Sequence, residues 1–322
     1  AGLRLGRLKT GTPPRLKADT VDWDRLELQD DHDGRLSFTD TPRRLPPVQC
    51  HIAYTNQATH TLIRENLHRS SMFSGAISGV GPRYCPSVED KIARFPDRPK
   101  HKLFLEPESH ETNRVYVNGL STSLPREVQL AALRSIEGLE RAEVLQWGYA
   151  VEYDHADPRD LGLVLQHRCI PGLHLAGQVN GTSGYEEAAV QGFVAGVSAA
   201  TGSAVALGRD EAYIGVLIDD PTSRGIGGEP YRMFSSRAEH RLLLREDNAD
   251  RRLMARGREL GLVPDPAWSA FSRRNLQIEQ TVNHLVSFKI HPSSANLERL
   301  TKAGVGSLRS PSTLAEILRR PN

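Results

Sequence analysis

Cys85 is followed two residues later by Ser87, which stands three residues ahead of Asp90, the spacing in which a hydroxyl caps a helix and an acidic side chain closes the box. A thiol just outside that cap lies near the unpaired N–H groups of the first helical turn, which favour thiolate. Arg83 adds positive charge, while Glu89 and Asp90 oppose it. The chemistry on offer is nucleophilic; the alternative is a small buried hydrophobe. A second constellation spans residues 176–196, AGQVNGTSGYEEAAVQGFVAG. Gly177, Gly181 and Gly184 permit positive φ and close backbone approach, and the amide of Gln178 both donates and accepts. A helix starting there points free N–H groups and a partial positive charge at the loop. Glu186 and Glu187 in its first turn would repel a phosphate, which favours a diffuse anion such as the pyrimidine edge of a reduced flavin.

Other candidates are weaker. Cys50 lies between Gln49 and His51 with no adjacent base, and Cys169 reads as core. The three cysteines make no CxxC or Cys/His spacing, so neither a disulfide framework nor a metal site is expected. Arginines cluster at Arg4, Arg7 and Arg15 with Lys9, and again at Arg232, Arg237, Arg241, Arg245, Arg251 and Arg252. Arg237, Arg241 and Arg245 recur every four residues, which on a helix would make a face able to track phosphates, or a solvated face paired with Glu239, Glu246 and Asp247. His51, His60, His155 and His174 have no ligand spacing and are expected to be structural.

The elements that must carry these groups follow from periodicity and turn chemistry. Strands are expected at residues 3–8, 51–54, 102–106, 115–118, 144–154 and 169–175, and helices at 57–67 and 125–136. The helix after Gly184 presents Ala188, Gly192 and Gly196 at four-residue spacing, a nearly bare face suited to lying tight against a sheet or ligand. Residues 15–50 are polar, Asp-rich and Pro-rich and read as an insertion, and 70–81 as irregular loop. Beyond Gly208 the pattern becomes helix upon helix, at 211–218, 235–244, 249–260, 267–286, 296–303 and 314–319.

Composition excludes more than it assigns. In 322 residues, 38% apolar and 25% charged, 41 basic residues nearly balance 39 acidic ones, so attraction for a polyanion would need local clustering. The longest apolar run, residues 213–218, is far short of the ~20 that span a bilayer, and no membrane association is expected. No GxGxxG opens a helix: Gly79 and Gly81 are followed by Tyr84, and Gly225, Gly227 and Gly228 precede no apolar helix. The first residues read as the inside of a strand, so the chain is expected to be a piece of a longer protein whose dinucleotide half lies elsewhere.

AGQVNGTSGYEEAAVQG resembles one signature of the MnmG (GidA) family, and GPRYCPSVEDKIARF at residues 81–95 resembles its other signature. GRLKTGTPPR (6–15), FLEPE (104–108) and EPYRMFSSRAEHRLLLREDNADRRL (229–253) read like further family segments, with departures at Ala53, Val190 and Ser198. The resemblance implies an α/β fold: an incomplete FAD/NAD-binding Rossmann-like domain with an inserted subdomain, followed by an α-helical C-terminal region. Its divisions would be 1–14 and 96–207 for the FAD domain, 15–95 for the insertion and 208–322 for the helices. It implies FAD contacts at Gly177, Gln178, Asn180, Gly181 and Gly184, and NAD contacts at Gly81, Pro82, Arg83, Tyr84, Cys85, Pro86, Ser87, Val88, Glu89, Asp90, Lys91, Ile92, Ala93, Arg94 and Phe95, with Cys85 catalytic. The implied reaction adds an aminomethyl-type group, carboxymethylaminomethyl or taurinomethyl, to carbon 5 of a tRNA wobble uridine, using FAD, NADH and methylenetetrahydrofolate. The implied partners are an MnmE-type GTPase and a second copy, as a homodimer within a heterotetramer, in bacterial cytoplasm or in mitochondria. Alternatives are a folate- and FAD-dependent tRNA uridine methyltransferase and a non-catalytic RNA-binding scaffold.

Overall fold

The computed structural model describes residues 2–30, 38, 45–77, 79–81, 86–202 and 205–320. The chain opens with β1 (Leu5–Thr12), β2 (Arg15–Lys17), β3 (Glu27–Leu28), β4 (His51–Tyr54), α1 (Gln57–Glu65) and α2 (Val88–Arg94). It continues with β5 (Lys102–Pro107), β6 (Arg114–Asn118), α3 (Arg126–Arg134), β7 (Val144–Gln146), β8 (Tyr149–Ala156), α4 (Tyr185–Thr201) and α5 (Tyr213–Arg224). The last elements are α6 (Ala249–Glu259), α7 (Asp265–Ser287), β9 (Lys289–Ile290), α8 (Ser294–Lys302), β10 (Ser312–Thr313) and α9 (Leu314–Leu318). The architecture is mixed α/β followed by helices, and it divides into a unit ending at Leu243 and a second beginning at Leu244.

In the first unit six strands form one sheet in the order β3-β4-β5-β6-β2-β7, each pair antiparallel. Alternation along β5 and β6 buries Leu103, Leu105, Val115 and Val117 on one face, where α1, α2 and α3 add Ile63, Val88, Ile92 and Leu133. Asn56 and Ser87 start two of those helices: the Asn56 side chain accepts the Thr59 N–H, and the Ser87 hydroxyl accepts the Asp90 N–H. β1 and β8 form a separate antiparallel ribbon, running from Leu5 opposite Ala156 to Thr12 opposite Tyr149. The expected single strand over 144–154 is thus broken. At the break, Gln129 donates its amide to the Gly148 carbonyl (3.0 Å) and accepts the Gly148 N–H (2.9 Å), so the chain leaves the sheet for the ribbon. A second core joins Leu161 and Leu165 to Val194 and Ala195 of α4 and Ile218 of α5.

Two expectations fail. Residues 169–175 are no strand: Ile170-Pro171-Gly172-Leu173 makes a turn in which the Leu173 N–H reaches the Ile170 carbonyl and Gly172 takes φ +81°, leaving Cys169 exposed instead of in the core. Residues 235–244 hold only one short 3-10 turn, Ser235–Arg237. Along the bare face of α4, Ala188 lies beside Gly177, whereas an added Cβ at Gly192 or Gly196 would find no described atom within 4 Å; the helix packs through Gln191, Val194, Ala195 and Ser198.

The second unit packs α7, α8 and α9 around Leu300, Leu308 and Ile317. The Asp250 carboxylate of α6 is buried against Arg274 of α7. No described helix is long and apolar enough to cross a membrane.

Candidate functional site

Lys9 of β1 stands at one cavity. Its N–H is held by the Val80 carbonyl (3.2 Å) through a parallel bridge between Leu8 and Val80, which lays residues 79–81 along β1. A cavity of about 310 Å³ results, lined by Lys9, Thr10 and Gly11 of β1, Met72 and Phe73, Gly79 to Gly81, and Pro86, Ser87, Asp90 and Arg94 around α2. Its walls carry both charges. Asp90 accepts from the Ser87 hydroxyl (3.1 Å) and pairs with Arg94 (3.7 Å), while Lys9 reaches the Met72 carbonyl (3.4 Å).

The structure therefore brings together Gly81, Pro86, Ser87, Asp90 and Arg94. Pro82, Arg83, Tyr84 and Cys85 lie outside the described residues. Val88 and Ile92 point into the core, Lys91 donates to the Gly119 carbonyl (2.8 Å), and Ala93 and Phe95 are exposed. Glu89 is fully buried, and one of its oxygens accepts from the Ser70 hydroxyl (3.0 Å), the Thr122 hydroxyl (2.9 Å) and the Ser123 N–H (2.9 Å). It ties α2 to the loop carrying Met72 and to the chain after β6. Its signal in sequence was its place beside Val88 and Ile92 on the inward stripe of a short helix.

Residues 176–184 form a tight loop in which Gly177–Asn180 make a 3-10 turn, closed by Gly181 at φ +76°. Gly177 donates its N–H to Gln191 Oε1 (2.9 Å), and Gly181 pairs with Tyr231 through a 2.9 Å bond from the Tyr231 N–H. Gln178 is exposed; Gly177, Asn180 and Gly181 are buried, and Gly184 is half-buried. Asn180 Oδ1, Thr182 Oγ1 and Gln191 Nε2 are buried with no partner among the described residues. The exposed Gln178 amide can both donate and accept, while the buried polar atoms behind it are enclosed within the loop. One Glu187 carboxylate oxygen pairs with Arg232 Nε (3.3 Å) and accepts the Met233 N–H (2.9 Å), while the other is buried beside Gly184.

Sequence reasoning missed the network behind that loop. Arg209 grips Asp219 (2.9 Å), Asp220 (2.7 Å) and Glu239 (2.7 Å), and the buried Tyr231 hydroxyl donates to Asp220 (2.7 Å). Hydrogen bonding to Arg209 holds the Glu239 carboxyl down at about 2, and burial together with Asp220 drives the Tyr231 hydroxyl far above its usual range. Arg237 stacks on Tyr231 at 4.3 Å and donates to the Arg232 carbonyl (2.8 Å), so it shares no helical face with Arg241. Only long-range partners reveal this network, and no local pattern encodes them. Among the described residues no cluster of three or more metal-ligating side chains occurs. Cys50 is half-buried at the edge of β4.

A family model described as glucose inhibited division protein A matches residues 1–205. The tRNA uridine 5-carboxymethylaminomethyl modification enzyme MnmG of a Nitratiruptor species is 50% identical over 328 residues, covering 99% of this chain and 52% of that protein. The enzyme of the same name from Bacillus mycoides is 50% identical over 326 residues, with the same coverage. Aquifex aeolicus GidA superposes in its form II crystal with a TM-score of 0.81 at 40% identity, over 98% of this chain and 50% of that one. Its form I crystal gives 0.80 at 43% identity, over 98% and 56%. The chain spans about half the length of the relatives it matches.

Proposed function

This chain belongs to the glucose inhibited division protein A family, and on that premise we propose that it forms part of an FAD-dependent enzyme adding an aminomethyl-type group to carbon 5 of the wobble uridine in tRNA. Methylenetetrahydrofolate supplies the one-carbon unit and NADH the reducing equivalents in this reading. An MnmE-type GTPase acts with a homodimer of the protein. The relatives' shared name, a tRNA uridine 5-carboxymethylaminomethyl modification enzyme, supports the substrate and the modified position.

The observation that carries the reading is a convergence: Lys9 to Gly11 and, some seventy residues on, Gly81, Pro86, Ser87, Asp90 and Arg94 line one cavity, and each set lies in a stretch that resembles the family. Lys9 and Arg94 give that cavity cations for an anionic ligand, and Ser87 and Asp90 give it polar edges. Bound FAD would supply electron transfer. Gln178, exposed on the loop at 176–184, would hold the flavin ring through its amide, a reading supported by its ability to donate and accept and by the positive φ of Gly177 and Gly181. Cys85 acts as the nucleophile: its thiolate bonds to the uracil ring, the ring π pair shifts to carbon 5, and that carbon becomes able to attack the one-carbon unit. The sulfur leaves when the carbon 5 proton is lost.

Cys85→Ser in the full-length protein is expected to abolish wobble modification and leave flavin absorbance intact. Wild-type modification in that variant would remove the nucleophilic assignment. A full-length wild-type protein that stays colourless with added FAD would instead favour a non-catalytic RNA-binding role.

A further inference from the structure

A second cavity, of about 450 Å³, opens at the other end of the ribbon, between Arg4 to Leu8, His155 to Arg159 and the loop Arg224 to Gly228. Its volume falls in the range of small-molecule sites, roughly 300–1,000 Å³. Three of its four arginines are already engaged: Arg4 with Asp157 and Asp160, Arg7 with Glu152 and Asp154, Arg159 with Asp157. Arg224 has no ion pair among the described residues. Beside it, Gly225, Gly227 and Gly228 all take positive φ (+77°, +70°, +84°). The N–H groups of Ile226, Gly227 and Gly228 donate to no protein acceptor among the described residues. Successive free N–H groups on such backbone make an anion-binding concavity. His155 completes the wall. Its Nδ1 donates to the Ala156 carbonyl (2.9 Å).

We propose that this cavity binds the carboxylate of a small molecule, held by Arg224 and the 226–228 backbone. The charge balance selects a single carboxylate group at the contact. Asp157, Asp160, Glu152 and Asp154 together offset Arg4, Arg7, Arg159 and Arg224, so the less charged anion is favoured, and a phosphate dianion would place the greater negative charge beside Asp157. Resting on the function proposed above, the inference admits two sources of that carboxylate: the free amino acid that becomes the carboxymethylamino unit, or the acidic tail of the folate carrier.

Isothermal titration of the protein with glycine, with 5-formyltetrahydrofolate and with inorganic phosphate tests it. At least one carboxylate is expected to bind saturably, more tightly than phosphate, and at least tenfold more weakly to Arg224→Gln. Arg224 is exposed, so that change leaves the core untouched. Preference for glycine identifies the amino acid, and preference for the folate identifies the carrier tail. The proposal is overturned if neither carboxylate saturates, if Arg224→Gln binds as the wild type does, or if phosphate binds more tightly than both. The heat of binding is read without tRNA or turnover, so its failure is separate from a failure of the Cys85 experiment.

Discussion

Single buried polar side chains decide where the cavity walls stand. Glu89 is the sharpest case, since one carboxylate oxygen gathers two hydroxyls and a backbone N–H from two other segments. Removing it strands those donors in the interior, at roughly 1–3 kcal/mol for each one left unpaired. Glu89→Ala is therefore expected to destabilise the first unit by about 3 kcal/mol or more, and Glu89→Gln, which keeps an acceptor oxygen, by clearly less. Urea unfolding curves of the two variants check the order; equal midpoints would show that the three bonds contribute nothing. Of the candidate residues named from sequence, Ser87, Asp90 and Gln178 were legible because capping and turn chemistry are local. Glu89, Arg209 and Tyr231 were not, because their meaning lies in partners many positions away.

Elements were legible where a short pattern was undisturbed. Residues 51–54 form the expected strand, and the helices at Gln57–Glu65 and Ala249–Glu259 match their apolar stripes to within two residues. They failed where tertiary capture or a turn outbid the pattern. Over 235–244 the expected helix gives way to one short 3-10 turn, and Glu239 beyond it pairs with Arg209. The strand expected over 144–154 loses to Gln129 at Gly148. That branch point has no room: a Cβ on Gly148 would lie 2.9 Å from the Thr12 carbonyl oxygen and 3.1 Å from Thr122. Gly148→Ala is expected to cost about 1–3 kcal/mol through overpacking, seen as a lowered melting temperature, with an unshifted melt counting against this account of the break.

At the scale of the molecule, the mixed α/β class and the helical C-terminal part were readable from periodicity, whereas the pairing of β1 with β8 across more than a hundred residues was not. The sheet unit also carries a pH dependence. His60 and His101 are buried with ring centroids 5.2 Å apart, and burial lowers both below the usual 6.5; Arg64 acts on His60 in the same sense, and Lys91 and Arg98 on His101. Burial therefore favours the neutral form of both histidines in the folded state. Above about 6.5 their contribution is complete; as pH falls below it the unfolded chain takes up protons that the folded chain refuses, and stability declines until the folded pKa values are reached. The slope is at most about 1.4 kcal/mol per histidine per pH unit. Urea midpoints at pH 7.5 and 5.5 should fall accordingly, and less so in His101→Gln. One strand, β1, edges both cavities, Arg4 to Leu8 at one end and Lys9 to Gly11 at the other. A slip of a single residue along its partner would invert every side chain on it, so the two chambers share one rail and neither can be re-registered without derailing the other.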